Sequence, residues 1–164
     1  MKYRIGILTL SDKGARGERI DGSGPLLATL VADLGQIVQR KIIPDDAESI
    51  AATLCTWADT EGVQLILTTG GTGLSPRDVT PEATLQVVDR LVPGMAEAMR
   101  AFSLQKTPHA MCSRAIVGIR GTTLIINLPG SPRGASENLE VLLPALSHAL
   151  AKLQGDPADC ATPL

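Results

Sequence analysis

Aromatic residues are scarce in this chain, which has one tryptophan, one tyrosine and one phenylalanine among 164 residues. The hydrophobic fraction of 44% is therefore supplied mainly by aliphatic residues. The sequence offers no aromatic platform on which single-stranded bases could stack. The net charge is −2, and the chain lacks the runs of lysine or arginine that bind a phosphate backbone. We therefore expect no nucleic-acid partner.

Cysteines are also few. Cys55, Cys112 and Cys160 are odd in number and far apart, so they indicate neither a disulfide framework nor a zinc site. Cys55 and Cys112 are predicted to be small core residues. Long apolar runs are missing too, since no stretch reaches the about 20 residues that span a bilayer. The apolar run near the N-terminus stops at Ser11, which is typical of a strand and not of a signal peptide. We expect a cytoplasmic protein without a membrane partner.

The length favours one domain with a substantial core. We predict a single domain over residues 1–153. Residues 154–164 contain two prolines and little apolar pattern, and are predicted to form a flexible tail. The two histidines, His109 near a Thr-Pro pair and His148 in a leucine-rich segment, are assigned no catalytic role.

Strand and helix patterns alternate along the chain. Strands are predicted over residues 3–10, 36–43, 63–69, 115–119 and 123–128, and helices over 24–35, 47–60, from 80 onward, 95–105 and 135–153. Asp45 or Asp46 is expected to cap the second helix, and Thr80 the third, with Pro81 at its first position. The last two strands are close enough to form a hairpin. The pattern predicts a three-layer α/β domain with a mostly parallel sheet, one antiparallel edge, and helices on both faces.

The unusual loops share one position in this fold. Residues 11–12, 44–46, 70–78 and 127–132 each follow the carboxyl end of a predicted strand. Open α/β sheets bind ligands at this edge. The four loops therefore predict one site.

Residues 68–73, Thr-Thr-Gly-Gly-Thr-Gly, combine three glycines with three hydroxyls. Glycine permits positive φ and close approach of backbone N–H groups to an anion. The segment indicates a phosphate-binding loop, and the alternative is a tight turn. It matches neither the P-loop, because no Gly-Lys-Ser/Thr follows, nor the dinucleotide fingerprint, because Pro76 occupies the position of the third glycine.

Residues 127–132 form the second candidate loop, in which prolines flank a glycine ahead of a long helix. A helix N-terminus favours anions, and Ser131 and Arg133 are expected to assist. A plain connection between strand and helix is the alternative.

Two aspartates stand beside these loops. A carboxylate at Asp78 would repel phosphate unless it binds a Mg²⁺ ion or the N–H edge of a pterin. The alternatives for Asp78 are an ion pair with Arg77 or a helix cap. For Asp45, the two alternatives are capping a helix and binding a metal ion. Asp12 and Asp21 are weaker candidates for residues at the edge of the same site.

Residues 68–84 resemble the signature of the molybdenum-cofactor biosynthesis domains. This family includes the Mog-type molybdopterin adenylyltransferases and the plant and gephyrin G domains. Supporting matches are residues 7–12, 21–24, 44–45, 93–95, 113–114 and 128–132, so the resemblance covers roughly residues 3–150. The loop after Asn127 lacks an insertion that some bacterial members have, and Asp46 stands where several carry glutamate. Because of these two departures, the resemblance does not assign the chain to one subgroup of the family.

The resemblance implies a homotrimer that uses ATP and Mg²⁺ to adenylylate molybdopterin, with possible hand-over to the molybdenum-insertion enzyme. It implies catalytic, metal-binding roles for Asp45 and Asp78. The residues expected to bind nucleotide or substrate are Ser11, Asp12, Thr69, Gly70, Gly71, Thr72, Gly73, Ser113, Pro129, Gly130 and Ser131. We expect in-line attack of the molybdopterin phosphate on the α-phosphorus of ATP, with pyrophosphate as leaving group. The alternative is a non-catalytic pterin-binding or assembly module.

Overall fold

The computed structural model describes residues 2–157 of the chain. Cys160 and most of the predicted tail lie outside the described residues, so the tail stays a prediction. The strands are β1 (Tyr3–Leu10), β2 (Gly35–Ile43), β3 (Leu65–Thr69), β4 (Arg90–Leu91), β5 (Val117–Arg120) and β6 (Thr123–Leu128). The helices are α1 (Asp12–Ala15), α2 (Ser23–Leu30), α3 (Ala47–Cys55), α4 (Thr80–Val87), α5 (Pro93–Leu104) and α6 (Pro132–Leu153).

One six-stranded sheet organises the domain, in the order β2-β1-β3-β6-β5-β4. The first four strands of this order run parallel, while β5 is antiparallel to β6 and β4 is antiparallel to β5. The β5–β6 hairpin turns at Gly121, whose φ is 54°. The predicted α/β fold with an antiparallel edge is confirmed.

Helices cover both faces of the sheet. Because side chains alternate along a strand, Leu65 and Leu67 pack with helices α2, α5 and α6, while Ile66 packs with α3 and α4. Strand β3 is buried along its whole length, as expected for a central parallel strand. Among the helices of residues 2–157, none is both long and apolar enough to cross a bilayer.

The single tryptophan belongs to the smaller of the two cores. The predicted helix over 47–60 changes after α3 into a short π-helical segment, Thr56–Thr60, which buries Trp57. The indole lies against β1 at Gly6, where a Cβ atom would be only 2.7 Å from the ring. Glycine at this position therefore makes room for the ring.

Two local expectations, for Thr80 and Cys112, are wrong, and a third, for Cys55, holds only in part. Thr80 does not cap α4, because its fully buried hydroxyl instead donates to the carbonyl oxygen of Gly70 at 2.9 Å. Cys112 is exposed at the end of a 3₁₀ helix, Pro108–Cys112, and is not a core residue. Cys55 is only partly buried, but it packs against the smaller of the two cores.

Candidate active site

A cleft of about 580 Å³ opens at the carboxyl ends of the parallel strands. Its lining includes nine of the residues expected from the sequence: Ser11, Asp21, Asp45, Thr69, Gly70, Gly71, Asp78, Gly130 and Ser131. The four loops therefore meet at one edge of the sheet, as their positions after strands predict. Asp12 is not part of the lining, although its N–H donates to the carboxylate of Asp45.

The glycine loop, residues 70–73, forms one wall of this cleft. Gly70 and Gly71 have φ values of 103° and 65°, which side-chain-bearing residues rarely adopt. A Cβ atom on Gly70 would overlap the carbonyl oxygen of Leu10, and one on Gly71 would overlap the hydroxyl of Thr80. Both glycines are thus required by the turn itself, in addition to any role in ligand approach.

The loop at residues 129–131 lies directly beside the glycine loop. The Thr69 hydroxyl donates to the carbonyl oxygen of Pro129 at 2.7 Å, and a Cβ atom on Gly130 would stand 3.2 Å from the Cα atom of Gly70. Ser131 caps α6, since its hydroxyl oxygen accepts the N–H of Gly134 at 3.1 Å. The N-terminus of a 22-residue helix therefore faces the cleft.

A second helix begins at the same rim. The carboxylate of Asp21 accepts the N–H groups of Ser23 and Gly24 at 3.1 and 2.9 Å, and the hydroxyl of Thr9 at 3.0 Å. The hydroxyl of Ser23 donates to the carbonyl oxygen of Gly130 at 2.9 Å. Asp21 therefore acts here as an anchor for α2.

Asp46, and not Asp45, caps α3, because the carboxylate of Asp46 accepts the N–H of Ser49 at 2.9 Å. This leaves Asp45 to face the cleft. Burial raises the pKa of the Asp45 carboxyl, and the nearby carboxylates of Asp12 and Asp78 raise it further, although the N–H of Asp12 opposes the shift. Burial and the neighbouring carboxylates therefore disfavour the charged form of Asp45.

Arg77 pairs with Asp12, so the alternative of an ion pair with Asp78 is not realised. Its Nε and Nη2 atoms donate to the two oxygens of Asp12 at 3.0 and 2.8 Å. This fork lowers the pKa of Asp12, with a further contribution from the N–H of Asp45. Asp78 instead accepts the N–H of Ser75 through Oδ2 at 3.0 Å.

The remaining expected residues line a second cavity of about 330 Å³. Thr72, Gly73, Ser113 and Pro129 border this cavity, and Ser131 borders both. The glycine loop and residues 129–131 thus form a wall between two cavities. Arg133, expected from the sequence to assist, donates to Glu137 of its own helix at 2.9 Å and borders neither cavity.

Sequence reasoning missed the cations of the second cavity. Arg100 donates to the carbonyl oxygen of Ala115 at 2.8 Å, and Lys106 pairs with Glu137 at 3.0 Å. Both cations line the cavity together with His109. Nothing in the pattern of α5 distinguishes Arg100 from an ordinary surface charge, so no sequence signal identifies it.

The donor set is suited to a cation that keeps other ligands. No group of three or more histidine, cysteine, aspartate or glutamate side chains gathers into a metal site within residues 2–157. Asp45 and Asp78 each use Oδ2 for a backbone N–H, which leaves Oδ1 without a hydrogen-bond donor from this part of the chain. Two carboxylates fit Mg²⁺, which binds one or two protein carboxylates plus substrate phosphates and water.

Fold and cleft together define an α/β domain with a candidate ligand-binding cleft at the carboxyl edge of its sheet. Residues 6–148 match the family described as "Probable molybdopterin binding domain". The chain belongs to this molybdopterin-binding domain family, which confirms the resemblance identified from residues 68–84.

Known proteins support this assignment over most of the chain. A gephyrin from Dictyostelium discoideum is 43% identical over 95% of this chain, which spans only 23% of that relative. The molybdopterin adenylyltransferase of Escherichia coli K12 is 43% identical over 84% of this chain and 72% of its own length. The crystal structure of the molybdopterin biosynthesis enzyme MoaB from Thermus thermophilus is 52% identical, covers 96% of this chain and 99% of its own, and superposes with a TM-score of 0.89.

Proposed function

We propose that this chain transfers an adenylyl group from ATP to the phosphate of molybdopterin, with release of pyrophosphate. Relatives named molybdopterin adenylyltransferase, from Escherichia coli K12 and Helicobacter pylori, are 43% and 37% identical to it. The observation that carries the proposal is the wall between the two cavities. Asp45 and Asp78 line the first cleft on one side of that wall, and the second cavity, which Arg100 borders, lies on the other.

ATP is assigned to the first cleft. The glycine loop supplies backbone N–H groups and the N-terminus of α6 supplies a positive dipole end, both of which favour phosphate. The first N–H groups of α2 are already bound by the carboxylate of Asp21. The volume of about 580 Å³ lies in the range of small-molecule sites.

Asp45 and Asp78 are assigned to Mg²⁺. When bound, the ion supplies charge neutralisation on the phosphates. The Oδ1 atoms of both residues are the candidate ligands, while their Oδ2 atoms keep the carboxylates in place through backbone N–H groups. The pKa of the Asp45 carboxyl is raised, and a bound cation would stabilise the charged form of this carboxyl.

Molybdopterin is assigned to the second cavity. Arg100 provides positive charge for a phosphate-bearing molecule, whereas Lys106 is already paired with Glu137, which lines the same cavity. Ser103, Ser113 and Asn138 offer polar groups for a heterocycle. Because Thr72 and Gly73 border this cavity while Gly70 and Gly71 border the first, the acceptor phosphate meets the nucleotide at the glycine loop.

In the proposed reaction, the protein itself forms no covalent bond to either substrate. A phosphate oxygen of molybdopterin forms a bond to the α-phosphorus of ATP, and the bond from that phosphorus to the oxygen of the departing pyrophosphate breaks. The chain's residues bind both partners, align them in line and exclude water. No nucleophilic side chain is required.

A purified-protein assay tests the proposal. With ATP, Mg²⁺ and molybdopterin, we expect pyrophosphate and adenylyl-molybdopterin in equal amounts, and neither product without molybdopterin. Binding of molybdopterin without any pyrophosphate would instead support the second candidate, a non-catalytic pterin-binding or assembly module. That candidate is favoured by the similarity to gephyrin, of which this chain spans only 23%.

Several further expectations belong to the same proposal. They are assembly as a homotrimer, hand-over of the product to a molybdenum-insertion enzyme and a cytoplasmic location. The similarity to a bifunctional molybdenum cofactor biosynthesis protein from Chlorobaculum tepidum, 40% identical over 93% of this chain, supports the link to a later step.

A further inference from the structure

We propose that Arg114 is a positioning residue for the transfer step, which fixes the loop at residues 73–78 and thereby the carboxylate of Asp78. The inference rests on the proposed function for its kinetic consequence. The structural half of the inference is that one arginine holds this loop in place, and it depends only on the observed contacts.

Arg114 contacts the loop at both of its ends. Its Nε donates to the carbonyl oxygen of Gly73 at 2.7 Å, and its Nη2 donates to the carbonyl oxygen of Asp78 at 2.6 Å. Its backbone N–H donates to the carbonyl oxygen of Thr72 at 2.9 Å. The guanidinium also pairs with Glu82 on α4. One side chain therefore joins the beginning and the end of the loop.

The contact with the carbonyl of Asp78 has a direct consequence for its carboxylate. Inside the loop, the N–H of Asp78 donates to the carbonyl oxygen of Ser75 at 2.9 Å, and the carboxylate accepts the N–H of Ser75. The space is narrow, since a Cβ atom on Gly73 would lie 2.9 Å from Oδ2 of Asp78. A small shift of the loop ends would therefore move the carboxylate.

Arginine is the residue type suited to this task. Its planar fork presents donors in fixed directions, so two carbonyl oxygens and a carboxylate can be bound at once. Lysine provides a single ammonium group at a point, which cannot reproduce three separated contacts. Ser113, the residue before Arg114, borders the second cavity. Arg114 thus also joins the wall of the acceptor cavity to the loop that carries Asp78.

Two matched controls separate this role from general stabilisation. Glu82→Gln removes the ion pair of Arg114 but leaves its bonds to the two carbonyls. Arg120→Lys alters a comparable arginine, which donates to the carbonyl oxygen of Val87 at 2.7 Å and pairs with Asp59. Arg120 precedes β6, so it lies at the sheet edge opposite the cleft.

The test compares Arg114→Lys with these controls in two measurements on the full chain. Hydrogen–deuterium exchange of residues 71–80 should become at least about tenfold faster in Arg114→Lys, since tenfold corresponds to the loss of about one hydrogen bond, and stay unchanged in the controls. The single-turnover rate of adenylyl transfer should fall by about 100-fold, with a smaller change in affinity for ATP and molybdopterin. Glu82→Gln and Arg120→Lys should turn over at nearly the wild-type rate.

Unchanged loop exchange in a folded Arg114→Lys variant would overturn the inference, as would an equal loss of rate in Arg120→Lys. If the wild-type chain forms no adenylyl-molybdopterin, the proposed function fails, and the exchange measurement still decides whether Arg114 fixes the loop. If Arg114→Lys does not fold, Arg114→Gln provides the second variant, because its shorter, uncharged side chain still carries a planar amide donor.

Discussion

Asp12 and Asp45 bind each other's backbone: the N–H of Asp12 donates to Oδ2 of Asp45, and the N–H of Asp45 donates to Oδ1 of Asp12, each at 3.0 Å. This reciprocal pair joins the loops after β1 and β2. It also brings two carboxylates close together, of which Asp12 forms the ion pair with Arg77. The arrangement keeps Asp45 oriented towards the cleft, where burial raises the pKa of its carboxyl and the charge of Asp12 raises it further.

We expect nucleotide binding to depend on Mg²⁺, because Asp45 and Asp78 would otherwise repel the phosphates that the glycine loop attracts. Calorimetry of the protein with ATP, in the presence of Mg²⁺ or of a metal chelator, measures this dependence. A chelator should weaken binding by at least about tenfold, which corresponds to ~1.4 kcal/mol. Equal heats in the two conditions would contradict a metal role for both aspartates.

Gly71→Val should abolish nucleotide binding and lower the melting temperature as well, because the added side chain meets the hydroxyl of Thr80 at a positive φ. Gly17→Ala is the control for backbone strain alone, since Gly17 has a φ of 75° and no atom near its added Cβ. The control should cost about 1–2 kcal/mol, and Gly71→Ala should cost more. Equal losses of stability in the two alanine variants would show that Gly71 is not crowded.

Asp45→Asn should stabilise the protein at neutral pH and reduce its turnover. A carboxyl whose folded pKa is raised above its unfolded value opposes folding when it is ionised. This cost is present above the raised pKa, and it disappears as the pH falls below the unfolded value. Thermal melting at pH 7 should therefore favour Asp45→Asn, with the advantage lost at about pH 3, below the ordinary aspartate pKa. An advantage that persists at low pH would show that the charge of Asp45 is not the cause.

Asp78→Asn should lower the single-turnover rate by ~100- to 1,000-fold, the usual cost of losing a preorganised electrostatic group. Substrate affinity should fall much less, and the fold should remain, because the amide oxygen can still accept the N–H of Ser75. Asp89→Asn is the matched control. Its carboxylate also accepts a backbone N–H, from Gly121 at 2.7 Å, in the β5–β6 hairpin turn away from the cleft. Near-normal turnover in a folded Asp78→Asn variant would remove the catalytic role proposed for Asp78.

The sheet could be predicted from the sequence because its strands are nearly continuous apolar segments. The strand predicted over 123–128 coincides with β6, and the one over 3–10 coincides with β1. Helix ends were less predictable, because tertiary contacts decide them. Threonine is a residue type that often caps helices, yet the hydroxyl of Thr80 donates inside the core to the carbonyl oxygen of Gly70.

The parts of the site that follow a local sequence pattern could be predicted. The glycines followed by Pro-Arg-Asp identify the loop that ends β3. Asp45 could be placed near this loop because it follows the end of a neighbouring strand. The partners of arginines were not predictable. Arg77 adjoins Asp78 in the sequence but bonds Asp12, 65 residues away, and Arg114 contacts a loop about 40 residues earlier. Such pairings depend on distances that only the folded chain defines.

The placement of Trp57 against Gly6 gives this protein an intrinsic optical probe. Because the chain has a single tryptophan and its side chain is 4% exposed, its fluorescence arises from one dry environment beneath the sheet. Unfolding brings that indole into water and shifts its emission to longer wavelength. The signal belongs to the core under α3 and α4, whereas Asp78 and the glycine loop lie at the sheet edge. Fluorescence melting therefore reports on the integrity of the fold in each variant, separately from assays of ligand binding.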